Sequence, residues 1–80
     1  MENTINKIMD IIQEIKPSAE ITEDTLLLDE HVLDSLSIVS LVSELCDEFD
    51  IDITPLDVIP ENFATVGNIA DMIERIEEDN

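Results

Sequence analysis

Apolar residues recur at helical spacing in three separate stretches of the chain, and this pattern constrains the fold more than any other feature. The apolar positions of the first stretch are Ile5, Ile8, Ile12 and Ile15. A spacing of three and four residues places them along one side of a helix. Pro17 keeps the residue before it out of the helical conformation. The pattern therefore predicts a first amphipathic helix over residues 2–15.

The second and third stretches carry the same spacing. The second runs from about Ser35 to Phe49 without glycine or proline, and Asp34 and Ser35 are short polar residues of the type preferred where a helix begins. Its apolar positions are Ile38, Leu41, Val42, Leu45 and Phe49. In the third stretch, Thr65 is expected to cap a helix that ends in a frayed acidic tail over residues 77–80. That helix carries Val66, Ile69, Ile73 and Ile76.

The segments between these helices predict loops and short helical turns. Residues 17–34 form a long loop, which we expect to be ordered because four apolar residues can anchor it to a core. Those residues are Ile21, Leu26, Leu28 and Val32. Pro60 is predicted to begin a short helix, and Thr54-Pro55 another turn. The resulting prediction is an all-α fold: a small four-helix bundle of three main amphipathic helices and one short helix, in a single domain over residues 1–80.

Composition excludes several classes of function. With 21 acidic side chains, 3 basic ones and a formal net charge of -18, the chain is not expected to bind nucleic acid or an anionic membrane. A hydrophobic content of 44% argues against disorder. Cys46 is the single cysteine, so neither an internal disulfide nor a zinc cluster is available. The chain has no apolar run long enough to insert into a membrane and no secretion signal, so we expect a cytoplasmic protein. We also expect it to be a monomer.

Two kinds of chemistry are disfavoured by the residues present. A hydrolase would have to combine Ser35, His31 and Asp34, and a bundle of this size lacks the deep pocket that a substrate needs. A calcium loop that begins at Asp50 would need glycine at its sixth position, where this chain has Pro55. Loose binding of divalent cations to the acidic surface stays open.

The tripeptide Asp34-Ser35-Leu36 lies where the long loop meets the second helix. A hydroxyl at this corner would be exposed, and a phosphodiester on it would be stabilised by the free amides and the dipole of the first turn. Taken alone, the tripeptide favours a helix cap over a modification site, because Asp and Ser are common at that position.

The tripeptide is one of several segments that together resemble the acyl carrier protein family over nearly the whole chain, in order and at the family's spacing. The segments are Ile21-Thr22-Glu23-Asp24-Thr25, Val32-Leu33-Asp34-Ser35-Leu36, Leu45-Cys46-Asp47-Glu48-Phe49-Asp50-Ile51-Asp52-Ile53 and Thr65-Val66-Gly67-Asn68-Ile69. The resemblance implies that Ser35 receives a 4'-phosphopantetheine arm from coenzyme A, with Asp34 and Leu36 as its motif neighbours. It also implies a carrier without catalytic activity, which holds an acyl or aminoacyl group as a thioester.

The carrier interpretation implies a docking face and several partners. The partners are a phosphopantetheinyl transferase, a loading ligase, and acyltransferase or synthase enzymes with basic docking surfaces. The docking face is predicted on the side of the second helix that the core does not use, with two apolar anchors. Its residues are Leu36, Val39, Ser40, Ser43, Cys46 and Asp47.

The cargo is left open between two kinds of carrier. Ser37 and Ser40 stand where carriers of fatty acid synthesis usually have acidic residues, and Leu33 directly precedes Asp34. In these respects the chain looks more like the D-alanyl carrier proteins, which a dedicated adenylating ligase serves. Outside the carrier class, the alternatives are an unmodified acidic adaptor and a small calcium-binding module.

Overall fold

The computed structural model describes the backbone of residues 2–79 and the side chains of residues 4–78. It contains three α-helices, α1 (Glu2–Ile15), α2 (Ser35–Phe49) and α3 (Val66–Asp79), and no strand among the described residues. The all-α prediction is confirmed. The predicted short fourth helix corresponds to a single 3-10 turn over Pro60–Asn62, so three helices and one turn are observed.

Helix α1 packs directly against both α2 and α3 and organises the core. The predicted apolar faces point inward: Ile8 and Ile12 of α1 are fully buried, as are Leu41 and Leu45 of α2. The remaining fully or nearly fully buried apolar side chains are Ile11, Ile21, Leu27, Leu33, Ile51, Phe63, Val66, Ile69, Ala70, Met72 and Ile73. All of them belong to one cluster, so the helices and loops share one core.

Helix α3 begins as predicted and extends further than predicted. The Asn68 amide donates a hydrogen bond to Thr65 Oγ1 (3.1 Å), which is the side-chain cap expected of Thr65. The helix then continues through Glu77 and Glu78 to Asp79, so the prediction of a frayed tail is wrong for residues 77–79. Asn80, the last residue of the predicted tail, lies outside the described residues. Ile76 packs against the core and supports this last part of the helix.

The long loop between α1 and α2 is ordered, and three of its four predicted anchors contact the core. Ile21 is buried, and Leu28 and Val32 pack against the core, whereas Leu26 is 48% exposed. Leu27 and Leu33 are buried as well, and the Leu33 amide donates to the Leu27 carbonyl (3.0 Å). The Leu27 amide in turn donates to the carbonyl of Ala64, just before α3 (2.8 Å). These bonds turn Leu27 and Leu33 inward and hold the approach to α2 against the rest of the molecule.

The loop between α2 and α3 is organised around a hydrogen-bonded turn and a buried aromatic ring. The amide and hydroxyl of Thr54 both donate to Asp57 Oδ2, at 3.2 and 3.0 Å. Thr54-Pro55 therefore begins a hydrogen-bonded turn. Phe63, directly after the 3-10 turn, is only 1% exposed and joins the core.

Candidate functional site

The candidate site is the start of α2, where Ser35 is the first helical residue. Asp34 precedes it in extended conformation, and its Oδ1 accepts a hydrogen bond from the Ser37 amide (2.8 Å). The Asp34 carbonyl also accepts from the Ile38 amide (2.9 Å). Asp34 therefore caps the helix, because its side chain satisfies an amide that has no partner within the helix.

Ser37 is a part of this site that the sequence interpretation missed. It entered that interpretation only as a neutral residue after the motif, whereas the structure buries it to 6% exposure. Its amide donates the capping hydrogen bond to the Asp34 carboxylate (2.8 Å). The signal available in the sequence was position, since the third residue after an N-cap is where the capping amide is found.

The Asp34 carboxylate is held in its charged form. The hydrogen bond from the Ser37 amide is the main cause that lowers the pKa of Asp34, and the Ser37 hydroxyl, the Lys16 ammonium and the Leu36 amide act in the same direction. Partial desolvation opposes them. Lys16 Nζ lies 3.9 Å from Asp34 Oδ2, so the end of α1 places a cation beside the start of α2.

The side chain of Ser35 is exposed and makes no hydrogen bond within residues 4–78. Apart from the cap, no acidic residue lies in the first turn of α2. The hydroxyl is thus free to react and open to a large visiting enzyme. His31 is also exposed, in a left-handed backbone conformation (φ 59°), and its side chain makes no hydrogen bond to Ser35 or Asp34 in the described part of the chain. The residues of the disfavoured hydrolase hypothesis are therefore not assembled.

The outer side of α2 carries the predicted docking residues in one row. Leu36 is 82% exposed and Val39 is 67% exposed. Ser40, Ser43 and Asp47 are exposed as well. Cys46 is half-buried, so it lies at the border between this row and the core.

Two concave regions of the described structure lie away from the outer side of α2. One polar groove runs between α3 and the 3-10 turn, and Arg75 crosses it to bind Asn62 Oδ1 (3.0 Å). A smaller apolar recess of about 260 Å³ lies between the two loops. It is lined by Leu26, Leu28, Asp29, Pro60, Glu61 and Ala64. Neither resembles the deep pocket of an enzyme.

Within the part of the chain that the structure describes, no three His, Cys, Asp or Glu side chains come together in a way that would hold a metal ion. None of the described helices combines the length and the apolar composition that crossing a bilayer requires.

Comparison with known proteins gives one family. The family described as "Phosphopantetheine attachment site" matches residues 6–73, which include all of α2. A D-alanyl carrier protein of Lactococcus lactis is 32% identical over 76 residues, covering 92% of this chain and 96% of the relative. An acyl carrier protein of Thermotoga maritima is 33% identical, and the match covers 92% of this chain and 91% of the relative. An acyl carrier protein of Buchnera aphidicola is 38% identical, and the match covers 94% of this chain and 96% of the relative.

The start of α2 fits the group that gives the family its name. A phosphodiester needs a hydroxyl that is exposed and not already hydrogen-bonded, and Ser35 has both properties within the described side chains. When bound, phosphopantetheine supplies a terminal thiol that carries an acyl group as a thioester. The family match extends over most of the chain and the relatives align over nearly their full lengths. The chain belongs to the phosphopantetheine-binding carrier protein family, and 4'-phosphopantetheine is its covalent prosthetic group.

Proposed function

We propose that Ser35 is the attachment residue, and that the chain presents an acyl or aminoacyl thioester on the attached arm to a series of partner enzymes. The observation that carries this proposal is the exposed, unbonded Ser35 hydroxyl at a capped helix start. In the attachment step, Ser35 Oγ forms a bond to the phosphorus of the phosphopantetheine half of coenzyme A. The bond from that phosphorus to the nucleotide half breaks, adenosine 3',5'-bisphosphate leaves, and the serine proton goes to a base of the transferase.

In this proposal the protein's own residues position the group and do no catalysis. Asp34 fixes the first turn of α2, so the base of the arm starts from a rigid point. A flexible arm on a rigid base raises the effective concentration of the thioester at each partner's active site.

We propose the outer side of α2 as the surface that partners recognise. Leu36 and Val39 would act as apolar anchors, and Ser40, Ser43, Cys46 and Asp47 would surround them. Leu36 directly follows Ser35, so an enzyme that grips it also reaches the arm. Because the chain has a formal net charge of -18, its transferase, loading ligase and acyl-handling enzymes are expected to dock through Lys- and Arg-rich surfaces.

The second candidate is a carrier dedicated to an aminoacyl group such as D-alanine. It is supported by the D-alanyl carrier proteins of Lactococcus lactis among the relatives, and by serine in place of acid at positions 37 and 40. The test is a competition of loading enzymes on the modified protein. A D-alanine-activating ligase should load a dedicated carrier more efficiently than an enzyme that transfers fatty acids, and the reverse order would contradict this candidate.

The 3-10 turn over Pro60–Asn62 would stand in the place of the short fourth helix of a carrier bundle. Residues 1–80 would then form one carrier domain, which acts as a monomer in the cytoplasm.

The attachment is tested by incubating the protein with coenzyme A and a broad-specificity phosphopantetheinyl transferase and measuring the intact mass. We expect the mass of one phosphopantetheine to be added to the wild type and to the control variants Ser40→Ala and Ser43→Ala, and no addition to Ser35→Ala. The controls remove hydroxyls from the same exposed side of α2. An unmodified wild type, or a modified Ser35→Ala, would overturn the proposal.

A further inference from the structure

The capping carboxylate at the start of α2 competes with a phosphodiester for the amides of the first turn. An anion at a helix N-terminus normally binds these free amides. Here the Ser37 amide already donates to Asp34 Oδ1 (2.8 Å). A phosphate on Ser35 would therefore lie beside a charged carboxylate that holds one of these amides, and a nearby cation would stabilise both anions.

The chain has only three Lys and Arg side chains, and the structure places each of them. Lys7 lies near the far end of α2, where its Nζ is 3.6 Å from Glu48 Oε1 and 5.6 Å from the centre of the Phe49 ring. Glu48 is thirteen residues beyond Ser35, or roughly 20 Å along the helix axis. Arg75 is held on α3 by Asn62. Lys16 is therefore the one strongly basic side chain of the chain that lies at the start of α2.

The position of Lys16 suits a phosphate as well as a carboxylate. Its Nζ is 3.9 Å from Asp34 Oδ2, which is the outer limit of an ion pair, and the side chain is partly exposed. An exposed pair of this length is weak, so the ammonium can move toward a second anion at little cost. Asp34 and Ser35 are adjacent, with Cα atoms about 3.8 Å apart, so one flexible lysine side chain can serve both groups.

We infer that Lys16 is a positioning residue for the prosthetic arm: its ammonium bridges the Asp34 carboxylate and the phosphodiester on Ser35. This inference rests on the proposed attachment at Ser35. The bridge ties the base of the arm to the end of α1 as well as to α2. It also offsets the repulsion that the new phosphate would exert on the capping carboxylate.

The test compares how modification changes the thermal stability of four full-length proteins: the wild type, Lys16→Gln, Lys16→Arg and Lys7→Gln. Lys7→Gln is the matched control, because it removes the same charge at the other end of α2. For each protein we measure the change in melting temperature that modification causes. In Lys16→Gln this change should be about 2–4 °C more negative than in the other three proteins. Lys16→Arg should behave like the wild type, since it keeps the charge.

Phosphorus NMR of the modified proteins provides the second readout. The phosphodiester resonance should shift in Lys16→Gln and keep its wild-type position in Lys7→Gln. Adding NaCl to the modified wild type should move its resonance toward that of Lys16→Gln, because salt screens the pair. Equal behaviour of Lys16→Gln and Lys7→Gln in both measurements would overturn the role of Lys16 while attachment at Ser35 stands. A wild type that gains no mass would instead overturn attachment, and the inference with it.

Discussion

At the residue scale, Asp34 has two separable roles. Its Oδ1 caps α2 through the Ser37 amide, and its Oδ2 faces Lys16. Capping needs only an oxygen acceptor, so asparagine can replace aspartate there, whereas pairing with Lys16 needs the charge. Substitutions at this one position can therefore distinguish the structural contribution of the side chain from its electrostatic contribution.

We predict that Asp34→Ala lowers the free energy of unfolding and that Asp34→Asn lowers it less, as measured by urea denaturation at neutral pH. The alanine loses the cap acceptor, and the asparagine keeps it. Asp24→Asn is a suitable control because it removes the same charge from an exposed position in the long loop. Equal stability of Asp34→Ala and Asp34→Asn would show that the capping bond contributes nothing measurable.

The pH dependence of the Asp34 contribution follows from the lowered pKa. A carboxyl whose pKa is lower in the folded state stabilises the fold above its ordinary pKa, here 3.8, and loses that contribution as the pH falls through the lowered value. The stability advantage of the wild type over Asp34→Asn should therefore be complete above pH 3.8 and shrink as the pH falls below it. An advantage that grows on acidification would contradict this assignment.

At the element scale, the end of α2 departs from the usual helix terminus. Asp50 adopts the left-handed conformation (φ 54°), which glycine most often supplies at this position. The Ile51 amide donates to the Cys46 carbonyl (3.2 Å), and Ile51 itself is buried. The turn thus closes the helix and inserts an apolar residue into the core. It also leaves a carboxylate at the negative end of the helix dipole.

We predict that Asp50→Asn stabilises the protein by about 0.3–1 kcal/mol, because asparagine tolerates the left-handed conformation and removes the unfavourable charge from the helix end. Asp52→Asn is the control, since it makes the same change in net charge two residues further along. Thermal or urea denaturation of the two variants checks the difference. A gain for Asp52→Asn that equals the gain for Asp50→Asn would assign the effect to net charge alone.

The helices were predictable because a packing face repeats at a fixed spacing, and the loops were not because no such repeat governs them. The bounds of α1 and α2 agree with the spacing of their isoleucines and leucines. In the long loop, the choice of Leu27 over Leu26 as anchor depends on a bond from the Leu27 amide to Ala64, which is distant in the chain. The partial exposure of the apolar residues that flank Leu27 likewise depends on this tertiary contact.

The candidate site was predictable to a similar degree. Ser35, Asp34 and the exposed side of α2 follow from a motif and a periodic face. Lys16 and Asp34 are eighteen positions apart in the chain, and they come close in space only once the loop has folded back. The burial of Ser37 could not be predicted either, because serine side chains are more often exposed.

At the scale of the whole molecule, negative charge dominates. Only two ion pairs are found among the described side chains, Lys7 with Glu48 and Lys16 with Asp34, and both are largely exposed. Most of the carboxylates therefore repel one another without compensation. This field attracts basic partners from a distance, and it also opposes the compact state.

We predict that the melting temperature rises when NaCl or MgCl₂ is added to a solution of low ionic strength. Salt shortens the range of the repulsion to about 10 Å at 0.1 M, and the folded state gains more than the expanded unfolded chain. Calorimetry at matched ionic strengths of the two salts measures the effect. A melting temperature that does not change with either salt would show that repulsion is not a major term in the stability.

The division of α2 into a buried and an exposed side has a consequence for how such a protein can diverge. The residues that hold the fold, such as Leu41 and Leu45, and the exposed residues proposed to meet partners, such as Leu36 and Val39, lie on opposite sides of one helix. Substitutions on the exposed side can therefore accumulate without destabilising the fold. A gene duplicate could acquire a new set of enzymes through a handful of surface changes, while its inherited scaffold stays intact.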